Sequence, residues 1–389
     1  MDGSHVMGPV KQAPTMPVAR LLGEGPVPVW GMPASTLLRR ALARAGVTEV
    51  AAWSGTVEPG RDHLLLRADH IFEARLVGAL AQAPGVLLLD EDGHPAAAHP
   101  GPDRAAAVAA AIEAGRPAGD PAFAGLRATG PEGLAGAYDA KLRRRGSPYL
   151  LRLTPETRRA VEWRMFGGSY KGVTDLVTKH VWPRPAFLVT RWCAAAGITP
   201  NQVTAASLVL VFAALWCFAQ GAFLPGLLAA WLMTFLDTVD GKLARVTLTS
   251  TRFGDVFDHG IDLVHPPFWW LAWIAGLGAV GMPLAQAGLV QAVVVGGYVL
   301  QRLQEGLFLA RFGIEIHVWR PFDSAFRLVI ARRNPNLILL TLGALAGRPD
   351  LGMLAVAAWT ATGCVVQVVQ TAQAFAAGGR GAVRSWLDR

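Results

Sequence analysis

A chain of 389 residues is long enough for two domains, and its 52% hydrophobic content and mean hydropathy of +0.34 exclude an ordinary soluble protein, the excess falling after residue 200. The net charge of +8, mostly arginine, suits anionic lipid or an anionic substrate; no Lys/Arg-rich block carries interleaved aromatics, so a nucleic-acid partner is not expected. Cys193, Cys217 and Cys364 lie far apart, which argues against a disulfide framework or a CxxC metal site.

In chain order, residues 1–17 read as a tag or disordered stretch without a signal peptide, so the domain that follows is expected in the cytoplasm. Over 18–150, strand-like runs at 49–54, 63–67 and 85–89 alternate with helical ones at 34–45, 71–81, 105–114 and 131–144, an order that implies a parallel α/β sheet. Gly and Pro cluster at 96–121 and mark loops. Residues 151–200 read as a linker plus an amphipathic juxtamembrane helix, with helical pieces broken at Pro183 and Pro185. Apolar runs near 202–219, 222–236, 263–282, 284–300, 336–347 and 351–375 predict a membrane domain of six helices over 201–378, the fifth extended by its polar flank 324–335. The loops near 248 and 315 and the tail 379–389 hold the positive charge, including Lys242, Arg252, Arg311, Arg320, Arg380 and Arg384. Both termini are therefore predicted on the cytoplasmic side of the plasma membrane.

The most informative stretch is 237–262, DTVDGKLARVTLTSTRFGDVFDHGID. Charges at membrane depth are costly and mark function. On one helix Asp237, Asp240, Gly241 and Ala244 fall at i, i+3, i+4 and i+7 and share a face; on the next, Asp258 and Asp262 are four apart, with Gly254 one turn earlier where helices can approach. Four carboxylates in one cleft need cations, and all-oxygen ligands suit Mg²⁺ or Mn²⁺ holding a pyrophosphate. A remaining aspartate can take a proton from an attacking hydroxyl, and Arg245 can fork onto phosphate. Asp255, in the first turn of the second helix, suits the helix dipole or joins the acidic face.

The pattern D-x2-D-G-x2-A-R-x8-G-x3-D-x3-D, with every fixed position present, resembles the signature of the CDP-alcohol phosphotransferase family. Thr199, Pro200, Asn201 and Thr204 resemble the family's T-P-N-x-x-T start of its first span, and the likeness covers about 180–377. The resemblance implies a six-helix membrane domain, usually a homodimer, that passes a phosphoalcohol group from a CDP-linked donor to an acceptor hydroxyl and releases CMP. Carried over, Asp237, Asp240 and Asp258 would bind metal, Asp262 would share that site and act as general base, and Gly241, Ala244 and Arg245 would lie against CDP. Gly254 would serve helix packing. The bland reading is a buried ion-pair network.

Further along, Arg327, Arg332 and Arg333, expected on one helix entering the membrane, are candidates for an anionic acceptor or for ordinary positive-inside charge. Asp323 is expected to pair with Arg327, and His317 to be structural. The N-terminal order of elements resembles a nucleotidyltransferase domain of the kind fused to such membrane domains in enzymes that make and use CDP-inositol. Its glycine-rich loop is reduced to Gly23-Glu24-Gly25 followed by Pro26, so a degenerate structural or dimerisation module is expected. Asp69 is a metal ligand if that domain is active, or else a helix cap.

The resemblance implies CDP-diacylglycerol or a CDP-polyol such as CDP-inositol as the expected donor. Two other classes are a UbiA-like membrane prenyltransferase, which would need a second aspartate-rich motif where only Asp323, Asp350 and Asp388 remain, and a non-catalytic ion-binding transporter or scaffold.

Overall fold

In a computed structural model, residues 16–388 are described apart from Pro59, Gly379 and Arg380; the expected tag, up to residue 15, and the tail charge Arg380 lie outside them. The chain forms two compact units, one running to Ala137 and including Ser147–Val161, the other made of Tyr138–Gly146 and the chain from Glu162 onward.

The first unit is built on β1 (Val18–Leu22), the short ribbon β2 (Pro28–Val29) and β3 (Met32–Pro33), α1 (Ala34–Arg44), β4 (Val50–Ala52), β5 (His63–Arg67), β6 (His70–Phe72), α2 (Ala74–Ala81), β7 (Val86–Leu89), β8 (Pro95–His99), α3 (Ala105–Glu113), β9 (Arg127–Thr129) and α4 (Pro131–Ala135). Its six strands run in the order β4-β1-β5-β8-β7-β9. Leu64, Leu65 and Leu66 on β5 are fully buried, as a continuous apolar run between two covered faces should be.

The sheet is mixed, which corrects the all-parallel expectation. β8 runs antiparallel to both β5 and β7. The cause is the turn after β7, where Asp90 Oδ1 accepts from the backbone N–H groups of Asp92 (3.0 Å) and His94 (2.8 Å) and reverses the chain in place of a crossover. Its alanines made β8 read as part of a loop region. The helix expected from residue 71 begins at Ala74, because Ile71 and Phe72 pair with Leu151 and Leu150 on β12 (Leu150–Arg152). The helix expected over 131–144 ends at Ala135, where Gly136 takes φ 69°, and the chain continues as a hairpin of β10 (Tyr138–Asp139) and β11 (Arg144–Arg145).

The chain passes between units within α5 (Arg158–Gly168). In the second unit α6 (Pro183–Ala195) starts at Pro183 and runs through Pro185: proline is tolerated in a first turn, so these residues open the helix and do not break it. Leu188 and Trp192 on its outer side are exposed, as an interfacial helix requires. Then follow α7 (Pro200–Ala219), α8 (Phe223–Val246), α9 (Arg252–Ala279), α10 (Ala287–Gln291) continued by a wide turn into α11 (Gly297–Phe312), α12 (Pro321–Phe326), α13 (Arg333–Leu345) and α14 (Pro349–Ala377).

α7, α8 and α14 are long and apolar enough to cross a membrane. Helices cover the six expected tracts, but among the described residues only these three reach that length and apolarity: α9 carries three aspartates, His265 and two prolines, and α13 has only 13 residues. The flank 324–335 does not extend α13: Pro335 lies in its first turn, where the ring bars a helical residue four places upstream. Arg327 therefore closes α12 while Arg332 and Arg333 open α13, and the three do not share one helix. Buried Phe218, Met233, Trp269, Trp270, Trp273 and Met353 form the core between helices. The outside is apolar too, with Phe212 61% and Trp216 69% exposed, the pattern of a surface solvated by lipid.

Candidate active site

Local signals place the site. Thr199 and Gln202 form a reciprocal capping box at the start of α7 with Pro200 in the first turn, and Thr251 caps α9 by accepting from Gly254 N at 3.0 Å. α8 and α9 both run through their aspartates, so the i, i+3 and i, i+4 spacings act on real helices. Asp255 lies in the first turn of α9, where a carboxylate meets the positive end of the dipole.

Asp237, Asp240 and Asp258 come together, with one carboxylate oxygen from each lying within 4.8 Å of the others. Asp240 is 2% exposed. Its Oδ2 accepts from Thr204 Oγ1 at 2.5 Å, while its buried Oδ1 has no partner among the described residues. An orphaned carboxylate oxygen among two more carboxylates fits a divalent cation of the all-oxygen kind.

Asp262 is not one of this trio but lies against it, within hydrogen-bond reach of Asp237. It pairs with Arg333, whose other nitrogen, Nη2, donates to Asp237 Oδ2 at 2.5 Å, so one guanidinium ties α8, α9 and α13 together. All four aspartates, with Gly241, Ala244, Arg245 and Gly254, line one cavity of about 890 Å³ in the second unit. The Arg245 guanidinium folds over Gly241, with Nη2 2.9 Å from where a Cβ would sit. At Gly254 a Cβ would lie 2.8 Å from Asn201 Oδ1 and 3.2 Å from Thr251 Oγ1, so the residue sets how closely α9 approaches α7. Gly254→Leu is expected to destabilise the second unit by about 1–3 kcal/mol and to lower affinity for Mn²⁺. Melting and Mn²⁺ titration check this, and an unchanged pair of values would remove the packing role.

The arginine side is wired differently from the sequence expectation. Glu305, on α11, takes hydrogen bonds from Arg332 Nη2 (2.5 Å), Arg302 Nη2 (2.8 Å), His317 Nε2 (3.1 Å) and Gln367 Nε2 (3.1 Å). The sequence reading passed over Glu305, although an acid just beyond an apolar run was the signal that could have found it. Burial brings His317 down to about 3 against the pull of Glu305, so the ring is neutral and structural. Arg327 lines the cavity, and its buried Nε and Nη1 have no partner among the described residues.

Asp323 does not bond the Arg327 side chain. It sits at the third position of α12, accepts from Arg320 N and Nη2 at 2.9 Å each and from Gln370 Nε2 at 2.9 Å, because Pro321 sets the start of that helix. Burial pushes the Asp175 carboxyl up, but hydrogen bonds from Thr178 and from Asn334 (2.9 Å) outweigh it and hold it below the ordinary range.

In the first unit, Asp69 is held by Arg67 through Nε (2.9 Å) and Nη2 (2.8 Å) and by His70 Nδ1 at 2.8 Å. It does not cap α2, whose N-cap is Glu73. Gly25 is required by packing, since a Cβ there would lie 2.3 Å from the carbonyl oxygen of Ala68.

Residues 197–331 match the CDP-alcohol phosphatidyltransferase family, which bears out the resemblance drawn from the aspartate pattern they contain. The chain is 26% identical over 213 residues to a bifunctional IPC transferase and DIPP synthase of Rubrobacter xylanophilus, covering 55% of this chain and 46% of that protein. It is 40% identical over 101 residues to a phosphatidylinositol phosphate synthase of Mycobacteroides abscessus, covering 24% and 44%, and 36% identical over 80 residues to an archaetidylinositol phosphate synthase of Pyrococcus horikoshii, covering 20% and 42%. The chain thus spans less than half the length of each of these relatives.

Proposed function

We propose that this chain is a membrane-embedded transferase that moves a substituted phosphate group from a CDP-linked donor to an acceptor alcohol and releases CMP. The observation that carries the reading is the trio Asp237, Asp240 and Asp258 with the orphaned Asp240 Oδ1, inside a cavity that Arg245 also lines. Those three aspartates would hold Mg²⁺ or Mn²⁺, with Asp262 alongside, and a bound cation would neutralise charge building on the leaving phosphate. Ala244 leaves room for CDP along α8, while Gly241 leaves room for the Arg245 guanidinium, which presents its fork to the phosphates beside it.

Asp262 is the proposed base. Outside the trio and oriented by Arg333, it accepts the proton of the acceptor hydroxyl. The oxygen then bonds to the phosphorus that carries the donor alcohol, the bond from that phosphorus to the CMP oxygen breaks, and the proton passes from Asp262 to solvent. Arg327, with its unpartnered nitrogens, and Arg332 are proposed to meet an anionic acceptor, while Arg333 serves the carboxylates. The names of the two inositol phosphate synthases among the relatives favour an inositol-type alcohol in donor or acceptor.

The reading keeps six crossings, with α9, α10–α11 and α13 joining the three long apolar helices. It also keeps a homodimer, and a cavity and both termini on the cytoplasmic side of the plasma membrane. The first unit is proposed to be a degenerate nucleotidyltransferase-like domain, since Gly25 is consumed by packing and Asp69 by Arg67.

Purified protein incubated with a panel of CDP-alcohols, Mg²⁺ or Mn²⁺ and candidate acceptors is expected to release CMP only when donor, acceptor and metal are all present. No CMP from any combination would overturn the assignment.

A further inference from the structure

One wall of the cavity comes from residues outside the family match. Lys141, Leu142 and Arg143, at the tip of the β10–β11 hairpin, and Tyr170 and Lys171 line the same space as the aspartates, and all precede residue 197. The hairpin is fixed there. Gly172 N donates to Leu142 O at 2.8 Å, and a Cβ on Gly172 would lie 2.3 Å from the carbonyl oxygen of Arg143, so only glycine allows this approach. Arg144 Nη1 donates to Gly168 O at 2.8 Å, and Arg143, in the left-handed region at φ 50°, pairs with Glu315.

The charge on this wall is unbalanced. Among the described residues neither Lys141 nor Lys171 has a hydrogen bond or ion pair. Lys242, 3% exposed, sets its ammonium 3.5 Å from the centre of the Tyr170 ring, and its polar contact is Ser169 O at 3.4 Å. The Tyr170 hydroxyl is buried with no partner among the described residues. Burial first, then Arg143 and Arg245, hold the Lys171 amine below the usual lysine range against the pull of Glu315 and Asp258. Lys141 is exposed and Arg143 is paired, but the largely buried Lys171 and Lys242 and the unpaired Tyr170 hydroxyl, all facing the cavity, are costly unless an anion completes them.

We infer that Lys171, with Lys141 and Arg143 from the hairpin and the Tyr170 hydroxyl, forms a phosphate subsite that this chain adds to the family-matched cavity. It rests on the reading of that cavity as the transfer site. The phosphate belongs to the donor pyrophosphate or to a phosphorylated acceptor, and the two are separable by experiment.

The test is calorimetric titration of the purified full chain with inorganic phosphate, then with a CDP-alcohol donor and a phosphorylated alcohol. Lys171→Met is expected to weaken phosphate binding at least about tenfold and Tyr170→Phe several-fold, while Lys171→Arg keeps most of the affinity and shows that the fold is intact. A loss confined to the donor assigns the subsite to the donor, and one confined to the phosphorylated alcohol assigns it to the acceptor. No saturable phosphate binding by the native chain, or unchanged affinity for all three probes in Lys171→Met, overturns the inference. Absence of CMP release with a Lys171-dependent phosphate titration would sink the proposed reaction and leave the subsite standing.

Discussion

Asp262→Asn should lower CMP release by about 10²–10⁴-fold, the range of a lost general base, while affinity for the CDP-linked donor changes little. The geometry explains the split. Asp262 lies outside the trio Asp237, Asp240 and Asp258, and its side chain is 40% exposed toward the cavity. The amide keeps the shape and still accepts from Arg333, which retains its bond to Asp237 at 2.5 Å, so the helices stay in register. Only the ability to take a proton goes. Single-turnover CMP release and donor titration on the same sample measure the two quantities. Full turnover in the variant would move the base elsewhere, and joint loss of turnover and donor affinity would place Asp262 among the donor ligands.

Asp240→Asn should act in the opposite order, on the metal before the chemistry. Asp240 is the most buried of the trio, with Thr204 on one oxygen and, among the described residues, no donor on the other. Removing its charge takes a ligand from an all-oxygen site, and Mn²⁺ affinity should fall by more than the roughly 10–100-fold typical of losing a supporting partner. Without metal, the same change relieves repulsion among three close carboxylates, so the metal-free variant should melt higher than the metal-free parent. With metal the ranking should reverse, because the parent alone gains stability from binding. Melting curves with and without Mn²⁺ read both signs at once. A variant that keeps its metal-dependent rise in melting temperature would remove Asp240 from the site. Thr204→Val should give a milder loss, since it frees Asp240 Oδ2 without removing the charge.

Much of this site was legible in one dimension because it is built from helix spacing. Asp237, Asp240, Gly241 and Ala244 share a face by periodicity alone, as do Asp258 and Asp262, and Thr199-Pro200 starts α7 by local capping; none of this needs a distant partner. The family match over 197–331 contains all of it. What the sequence by itself determined is therefore the family resemblance and which acids share a helix face. Tertiary structure alone decided how their charge is compensated. Arg333, 71 residues beyond Asp262 and 96 beyond Asp237, bridges the two, and Glu305 gathers Arg302, His317, Arg332 and Gln367. A hairpin read as helix lines the cavity through an ion pair spanning 172 residues, Arg143 with Glu315. Helix periodicity says which residues share a face, but the partner of a buried charge is set by which helices pack, and every arginine in the sequence was equally eligible until they did.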